Sequence, residues 1–234
     1  MERLRELLSV WNIDISDHQL DQFAMYYKLL ISWNEKINLT SITDPDEVLL
    51  KHFLDSLALL RYIDISGKRV IDVGSGAGFP GIPLKIMCTQ CDITLLDSLN
   101  KRVSFLNEVI SVLGLTSINV VHGRAEDVGH DPLFRESFDC SVSRAVANLS
   151  TLSEYCLPFV NLNGVFISYK SGNVFDEVED AGNAVSILGG FLSDVKEFVL
   201  PGSDIGRSLI MINKTGNTPE RYPRKAGMPS KKHL

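Results

Sequence analysis

Residues 70 to 84 read VIDVGSGAGFPGIPL, an apolar run that ends beside an acid and then opens into a loop holding Gly74, Gly76, Gly78 and Gly81. Glycines after a strand let the backbone approach a ligand where side chains would clash. A triphosphate loop needs G-x-x-x-x-G-K-[ST]. Gly76 and Gly81 have that spacing, but Ile82 and Pro83 stand where the lysine and hydroxyl must be, so phosphates and magnesium find no partners. The dinucleotide pattern G-x-G-x-x-G is formally present from Gly76 to Gly81. There, however, Gly74 rather than Gly76 ends the strand, and Pro80 and Pro83 remove amides where a pyrophosphate would sit. The remaining reading is D-x-G-x-G-x-G from Asp72 to Gly78, with its first glycine at the strand end. Asp97 ends the next apolar run, where a carboxylate can accept from both ribose hydroxyls. Glu126 follows the third run, in GRAED, where an acid can meet an adenine amino group. Asp97 alone would suit a nicotinamide enzyme equally well, and each feature alone could be turn chemistry. Three on successive strand ends fit a nucleoside held across a sheet.

Cys88 and Cys91 form a C-x-x-C. A zinc ribbon needs a second close pair, which Cys140 and Cys156 do not make, and a redox pair opens a helix, where the positive helix end lowers thiol pKa. This pair instead follows IPLKIM, at an expected helix C-terminus. No metal site is expected.

The elements that must position these residues alternate after Lys68. RVIDV, DITLLD, INVVH, FDCSVS and GVFISYK have the apolar, β-branched character of buried strands. IPLKIM, KRVSFLNEVISVLG, a short segment around Ala125 and LSTLSEYCLPFV lie between them. The alternation predicts an α/β fold, a doubly wound, mostly parallel sheet of seven strands. SDVKEFVL and GRSLIMINK are too close for a crossover and should close it as an antiparallel pair. Residues 1–62 read as an N-terminal helical region, with Leu20, Phe23, Tyr27, Leu30 and Ile31 on one face and a second helix opening at Asp44-Pro45. The expected organisation is this region, a domain over 63–220 and a tail over 221–234.

With 44% apolar and 22% charged residues and no apolar run of membrane length, the chain reads as soluble, and four cysteines in 234 residues suit a reducing, cytoplasmic location. The net charge of −6 is uneven. RYPRKAGMPSKKHL carries +5, which leaves 18 basic and 29 acidic side chains, a net −11, on the other 220 residues. Such asymmetry suggests a polyanionic partner, with Arg221, Arg224 and Lys225 as candidate RNA contacts on an extended arm; a solvated tail is the alternative.

The glycine motif resembles the first motif of class I S-adenosylmethionine-dependent methyltransferases, whose cofactor carries no phosphate. More specifically, NLTSI (38–42), HFLDSL (52–57), DVGSGAGFPGIPL (72–84), DSLNKRVSFL (97–106), GRAED (123–127) and SRAV (143–146), together with the tail, resemble the glucose-inhibited division protein B family of bacterial 16S ribosomal RNA guanine-N7 methyltransferases. The resemblance spans nearly the whole chain and is weakest over 175–205. It implies methyl transfer from S-adenosylmethionine to guanine 527 in the 530 loop, on 16S rRNA, the small subunit or an assembly intermediate, by a monomer. It further implies that Asp72, Gly74, Gly76, Gly78 and Phe79 form the first loop of the cofactor site. Asp97, Ser98 and Leu99 would lie around ribose and adenine, Ala125 and Glu126 at the adenine edge, and Arg144 near both cofactor and base.

Guanine N7 has a free lone pair, so alkylation needs alignment rather than a general base. The base becomes cationic, and Asp55 is the candidate to stabilise it. His52 is expected to pack or hydrogen-bond, and Asn38 and Thr40 could shape the pocket or serve turns. Two alternatives remain open: a methyltransferase for a small molecule or protein, and a nucleotide-binding module without catalysis.

Overall fold

The computed structural model describes all 234 residues. Seven strands form one sheet: β1 (Arg69–Val73), β2 (Asp92–Asp97), β3 (Ile118–His122), β4 (Phe138–Ser143), β5 (Val160–Ser171), β6 (Gly190–Val199) and β7 (Gly206–Lys214), in the order β3-β2-β1-β4-β5-β7-β6. β1 to β5 run parallel, and β7 lies antiparallel between β5 and β6. The order reverses between β1 and β4, so the carboxyl ends of these strands frame the crevice where ligands bind in open α/β sheets.

Successive side chains of a strand face opposite sides, and both faces here are covered. Val70, Ile93 and Leu95 join Leu4, Leu8, Phe23, Tyr26 and Phe53 of the N-terminal helices in one cluster of 38 buried residues. Ile71, Val73 and Leu96 face a second cluster of 18 residues that includes Tyr222. Each Leu or Phe buried there contributes about 1.5–3 kcal/mol. The N-terminal helices therefore share the sheet's own core.

Those helices are α1 (Glu2–Ser9) and α2 (Asp17–Ile37), followed by a composite rod. Ser16 and Gln19 close α2 at its start as a reciprocal capping box, and Asn38 ends it in the left-handed conformation, φ 49°. The rod opens as α3 (Pro45–Val48) under an Asp44 cap, widens into a π-helical turn over Leu49–Leu54, and resumes as α4 (Asp55–Leu57) and a 3-10 turn (Ala58–Arg61). The sequence reads as one regular helix there, because a π turn leaves the apolar spacing almost unchanged.

The remaining helices are α5 (Gly81–Met87), α6 (Asn100–Val112), α7 (Ala125–Val128), α8 (Leu149–Cys156), α9 (Phe175–Ile187) and α10 (Met228–Lys231). α9 is absent from the sequence reading. Its buried face is only Ala181, Ala184 and Val185, a weak apolar stripe among acids. No helix is long and apolar enough to cross a membrane.

Candidate active site

Two cavities open side by side at the carboxyl ends of the strands, both walled by Ala145. The first holds about 320 Å³, and its wall includes Gly74, Asp97, Ser98, Ala125 and Glu126. Gly74 takes φ +76°, and the amides of Gly74 and Ser75 donate to the Leu96 carbonyl, tying the first loop to the end of β2. Asp97 is 2% exposed. Its Oδ2 accepts the Gly76 amide at 2.8 Å and its Oδ1 the Leu99 amide at 2.9 Å, with Arg102 Nη1 at 3.5 Å. An ionised carboxylate offers about four lone-pair sites, so Asp97 retains acceptor capacity toward the cavity. Two acceptor-only carboxylates on successive strand ends, in a cavity at the lower end of the size range of ligand pockets, match the hydroxyls and the amino group of an adenosine.

Asp72, Gly76, Gly78, Phe79 and Leu99, expected around the cofactor, are not in that wall. Asp72 is fully buried behind the loop, where Oδ2 accepts the Gly81 amide at 2.9 Å and pins the start of α5; burial pushes its pKa up to about 7. Gly76 acts through Asp97. A Cβ at Gly78 would meet Ile82 Cδ1 at 2.5 Å and the Tyr26 hydroxyl at 2.7 Å, so this glycine serves close approach to α2. Phe79 is buried against His52, ring centroids 4.5 Å apart, and against Tyr26. Leu99 caps α6 with its side chain half in solvent. Asp72, Gly78 and Phe79 support the loop from behind.

The second cavity, about 600 Å³, lies between the π turn and the loop after β4. Arg144 crosses it as a brace. Nη1 donates to the Lys51 carbonyl (2.9 Å) and to Asp55 Oδ2 (3.2 Å), Nη2 approaches His52 Nδ1 at 3.0 Å, and the guanidinium lies over the Phe79 ring. Arg144 thereby ties the π turn to the loop after β4. Most of the Arg144 donors are engaged by the π turn and α4, and the side chain lines this cavity. Asp55, on the same wall, is engaged in the same way. It is gripped by Arg144 and, from β7, by Arg207 Nε at 3.2 Å. Burial raises its pKa above the ordinary carboxylate value against the pull of the two guanidiniums, and the carboxylate anchors a network with both.

His52 completes this network. A guanidinium can only donate, so Nδ1 holds the lone pair and Nε2–H donates to Thr40 Oγ1 at 2.9 Å. Burial, aided by the charge of Arg144, lowers the His52 pKa to about 3. The ring is neutral with its lone pair occupied, so it is not a general base. Asn38 serves as helix cap, and Thr40 fixes the histidine tautomer. The sequence reading missed Lys51, Lys170 and Arg207 on this wall. Lys51 adjoins HFLDSL, a signal that could have found it. Arg207 follows the least characteristic stretch and reaches Asp55 only through the β5–β7 pairing.

The C-terminal residues do not form a free arm. Arg224 forks onto Glu154, with Nη2 to Oε2 at 2.6 Å and Nε to Oε1 at 2.9 Å. Its own amide reaches Glu154 Oε1 at 2.7 Å. An ion pair with a carboxylate 1% exposed holds the segment to α8, which makes Arg224 an anchor of that segment. Arg221 and Lys225 remain exposed. Cys88 caps the end of α5, and the Cys91 thiol donates to the Cys88 carbonyl. Burial raises the Cys91 pKa to about 12, the reverse of a reactive thiolate.

The family model described as GidB, rRNA small subunit methyltransferase G, matches residues 19–205. The chain is 50% identical over 232 residues to a ribosomal RNA small subunit methyltransferase G of Desulforamulus reducens, covering 99% of this chain and 97% of that one. It is 52% identical over 222 residues to the protein of the same name from Alkaliphilus metalliredigens, covering 94% and 92%. Among solved structures, TYW2 of M. jannaschii in complex with AdoMet superposes with a TM-score of 0.56 at 13% identity, over 74% of this chain and 79% of that one. TrmN of Thermus thermophilus gives 0.53 at 18%, over 71% and 53%. At these identities the likeness to the two structures is one of fold.

Proposed function

The chain belongs to the GidB family, the rRNA small subunit methyltransferases G, and from that membership we propose that it methylates N7 of one guanine of small-subunit ribosomal RNA. It is an S-adenosylmethionine-dependent methyltransferase, and we place it in the cytoplasm as a monomer acting on the rRNA, the subunit or an assembly intermediate. The observation that carries the reading is the pair of cavities sharing Ala145: one sized and lined for an adenosine, the other wide and cationic.

What the cofactor supplies when bound is an electrophilic methyl on a cationic sulfur. Asp97 would hold its ribose hydroxyls, Ser98, Ala125 and Glu126 its adenine, and Gly74 the amino-acid end. The protein abstracts no proton, because N7 attacks with its own lone pair and His52 offers none. Catalysis is then alignment of base against methyl, for which the π turn, Arg144 and Asp55 form a rigid floor. Lys51, Arg144, Lys170 and Arg207 meet Asp55 and Glu177 on the wall and Glu47 beside it, which leaves the second cavity one positive charge in excess on an acidic protein. That patch attracts a phosphate backbone despite the net charge.

The test is transfer of labelled methyl from S-adenosylmethionine to small-subunit rRNA, followed by digestion to nucleosides. The expected product is labelled 7-methylguanosine. Label in another nucleoside would overturn the N7 assignment, and label confined to protein or a small metabolite would overturn RNA as substrate.

A further inference from the structure

The segment after β7 is built into the body by a series of anchors. Arg135 donates through Nη2 to the Thr218 carbonyl at 2.7 Å and through Nη1 to the Tyr222 carbonyl at 2.9 Å. His130 Nε2 meets the Pro223 carbonyl at 2.7 Å, and Pro223 lies so close to α7 that a Cβ on Gly129 would sit 3.0 Å from its Cγ. Arg224 is fastened to Glu154, and Thr151 Oγ1 donates to the Pro229 carbonyl at 3.1 Å. Between these last two anchors the chain delivers one group to the cofactor cavity: the amide of Gly227 donates to Glu126 Oε1 at 3.0 Å.

Glu126 is 8% exposed and forms part of the wall of the 320 Å³ cavity. Its own helix, α7, is a single turn and gives little to fix a long side chain. The Gly227 amide points at it because the backbone there adopts φ +79°, a left-handed conformation that costs side-chain-bearing residues strain and glycine none. We propose that Gly227 is a positioning residue for the cofactor site, its amide fixing the Glu126 carboxylate so that the pocket selects a purine with a 6-amino group. This rests on reading that cavity as the adenosine site. A carboxylate accepts from a 6-amino group and is repelled by a 6-oxo oxygen, so the selectivity depends on where the carboxylate is held. The C-terminal segment is on this account part of the specificity apparatus.

The test compares binding of S-adenosylhomocysteine and of S-inosylhomocysteine by calorimetry. The native protein should prefer the amino compound by at least about tenfold, the effect of one hydrogen bond to a charged group. Gly227→Ala should bring the preference to within about threefold of parity, and Arg224→Ala, which loosens the same segment without touching Glu126, should shift it in the same direction. In a Glu126→Gln background, Gly227→Ala should change the preference no further. A variant pair that keeps the native preference, even if both affinities fall together, would overturn the inference and leave only a structural role. A native protein with no preference, or no binding of either compound, would instead sink the reading of the cavity.

Discussion

Asp97 holds two amides of its own protein and lines the 320 Å³ cavity. On the adenosine reading proposed above, its removal deletes a charged acceptor for two ribose hydroxyls, and hydrogen bonds to charged groups are worth about 1.5–3 kcal/mol. Asp97→Ala should therefore weaken S-adenosylhomocysteine roughly tenfold to hundredfold in calorimetry; unchanged affinity would remove Asp97 from the site. His52 makes a prediction in pH. Its folded pKa of about 3 lies below the value of about 6.5 it has in an unfolded chain. As pH falls below 6.5 the unfolded state binds a proton that the folded state refuses, so stability is lost down to about pH 3 at up to about 1.4 kcal/mol per unit. Asp72 has the opposite sign, its pKa raised to about 7, so its contribution is lost as pH rises. It is common to native protein and His52 variant and cancels between them. Urea unfolding at pH 7 and pH 4.5 should show a larger loss for the native protein than for His52→Gln. Equal losses would mean that the imidazole is already protonated in the fold.

At the scale of elements, the π turn and the loop after β4 are held to each other through Arg144. Arg144→Ala removes a charged donor from the Lys51 carbonyl and from the buried Asp55, and a buried carboxylate left short of donors costs about 1–3 kcal/mol. For a chain of this length each kcal/mol lowers the melting temperature by about 2–4 °C. Both melting temperature and methyl transfer should fall, and Arg144→Lys should rescue neither, since an ammonium cannot span the same fork. A variant with native melting and reduced turnover would return Arg144 to direct contact with substrate. Gly81 tests the first loop in the same manner. A Cβ there would lie 2.3 Å from Leu95 Cδ2 and 2.9 Å from Asp72 Oδ2. Overpacking of this kind costs about 1–3 kcal/mol, so Gly81→Ala should melt lower. Gly76→Ala has open space around it and only its φ of +60° to strain; it should melt closer to the native protein.

Over the whole molecule, an excess of acids forces RNA to meet local cationic ground. Arg221 and Lys225 stand exposed on the docked C-terminal segment. Each phosphate contact adds about 0.7–0.9 to the slope of log affinity against log salt, so replacing both with alanine should lower that slope by up to about 1.4–1.8. Arg224→Ala should leave the slope alone and lower the melting temperature, because its charge is already paired with Glu154. The reverse pattern, with Arg224 moving the slope and the other two silent, would restore the picture of a free arm.

The sequence by itself determined the α/β alternation, the seven strands and the helix that opens at Asp44-Pro45. These rest on local patterns: β-branched runs too apolar for one-sided burial, glycines at a strand end, and Asp44-Pro45 opening a helix. Tertiary structure decided which face each glycine-loop residue takes. Gly78 and Phe79 sit in the same short motif as Gly74, yet α2 and the π turn draw them into the core while Gly74 stays at the cavity. It also decided the roles of Arg144, Asp55, Arg207 and Arg224. A formal charge is written in the sequence, but whether a guanidinium meets solvent, RNA or a buried carboxylate depends on partners 70 to 152 positions away. Only folding brings those together, and the desolvation of a buried Glu154 or Asp55 then makes the pairing obligatory.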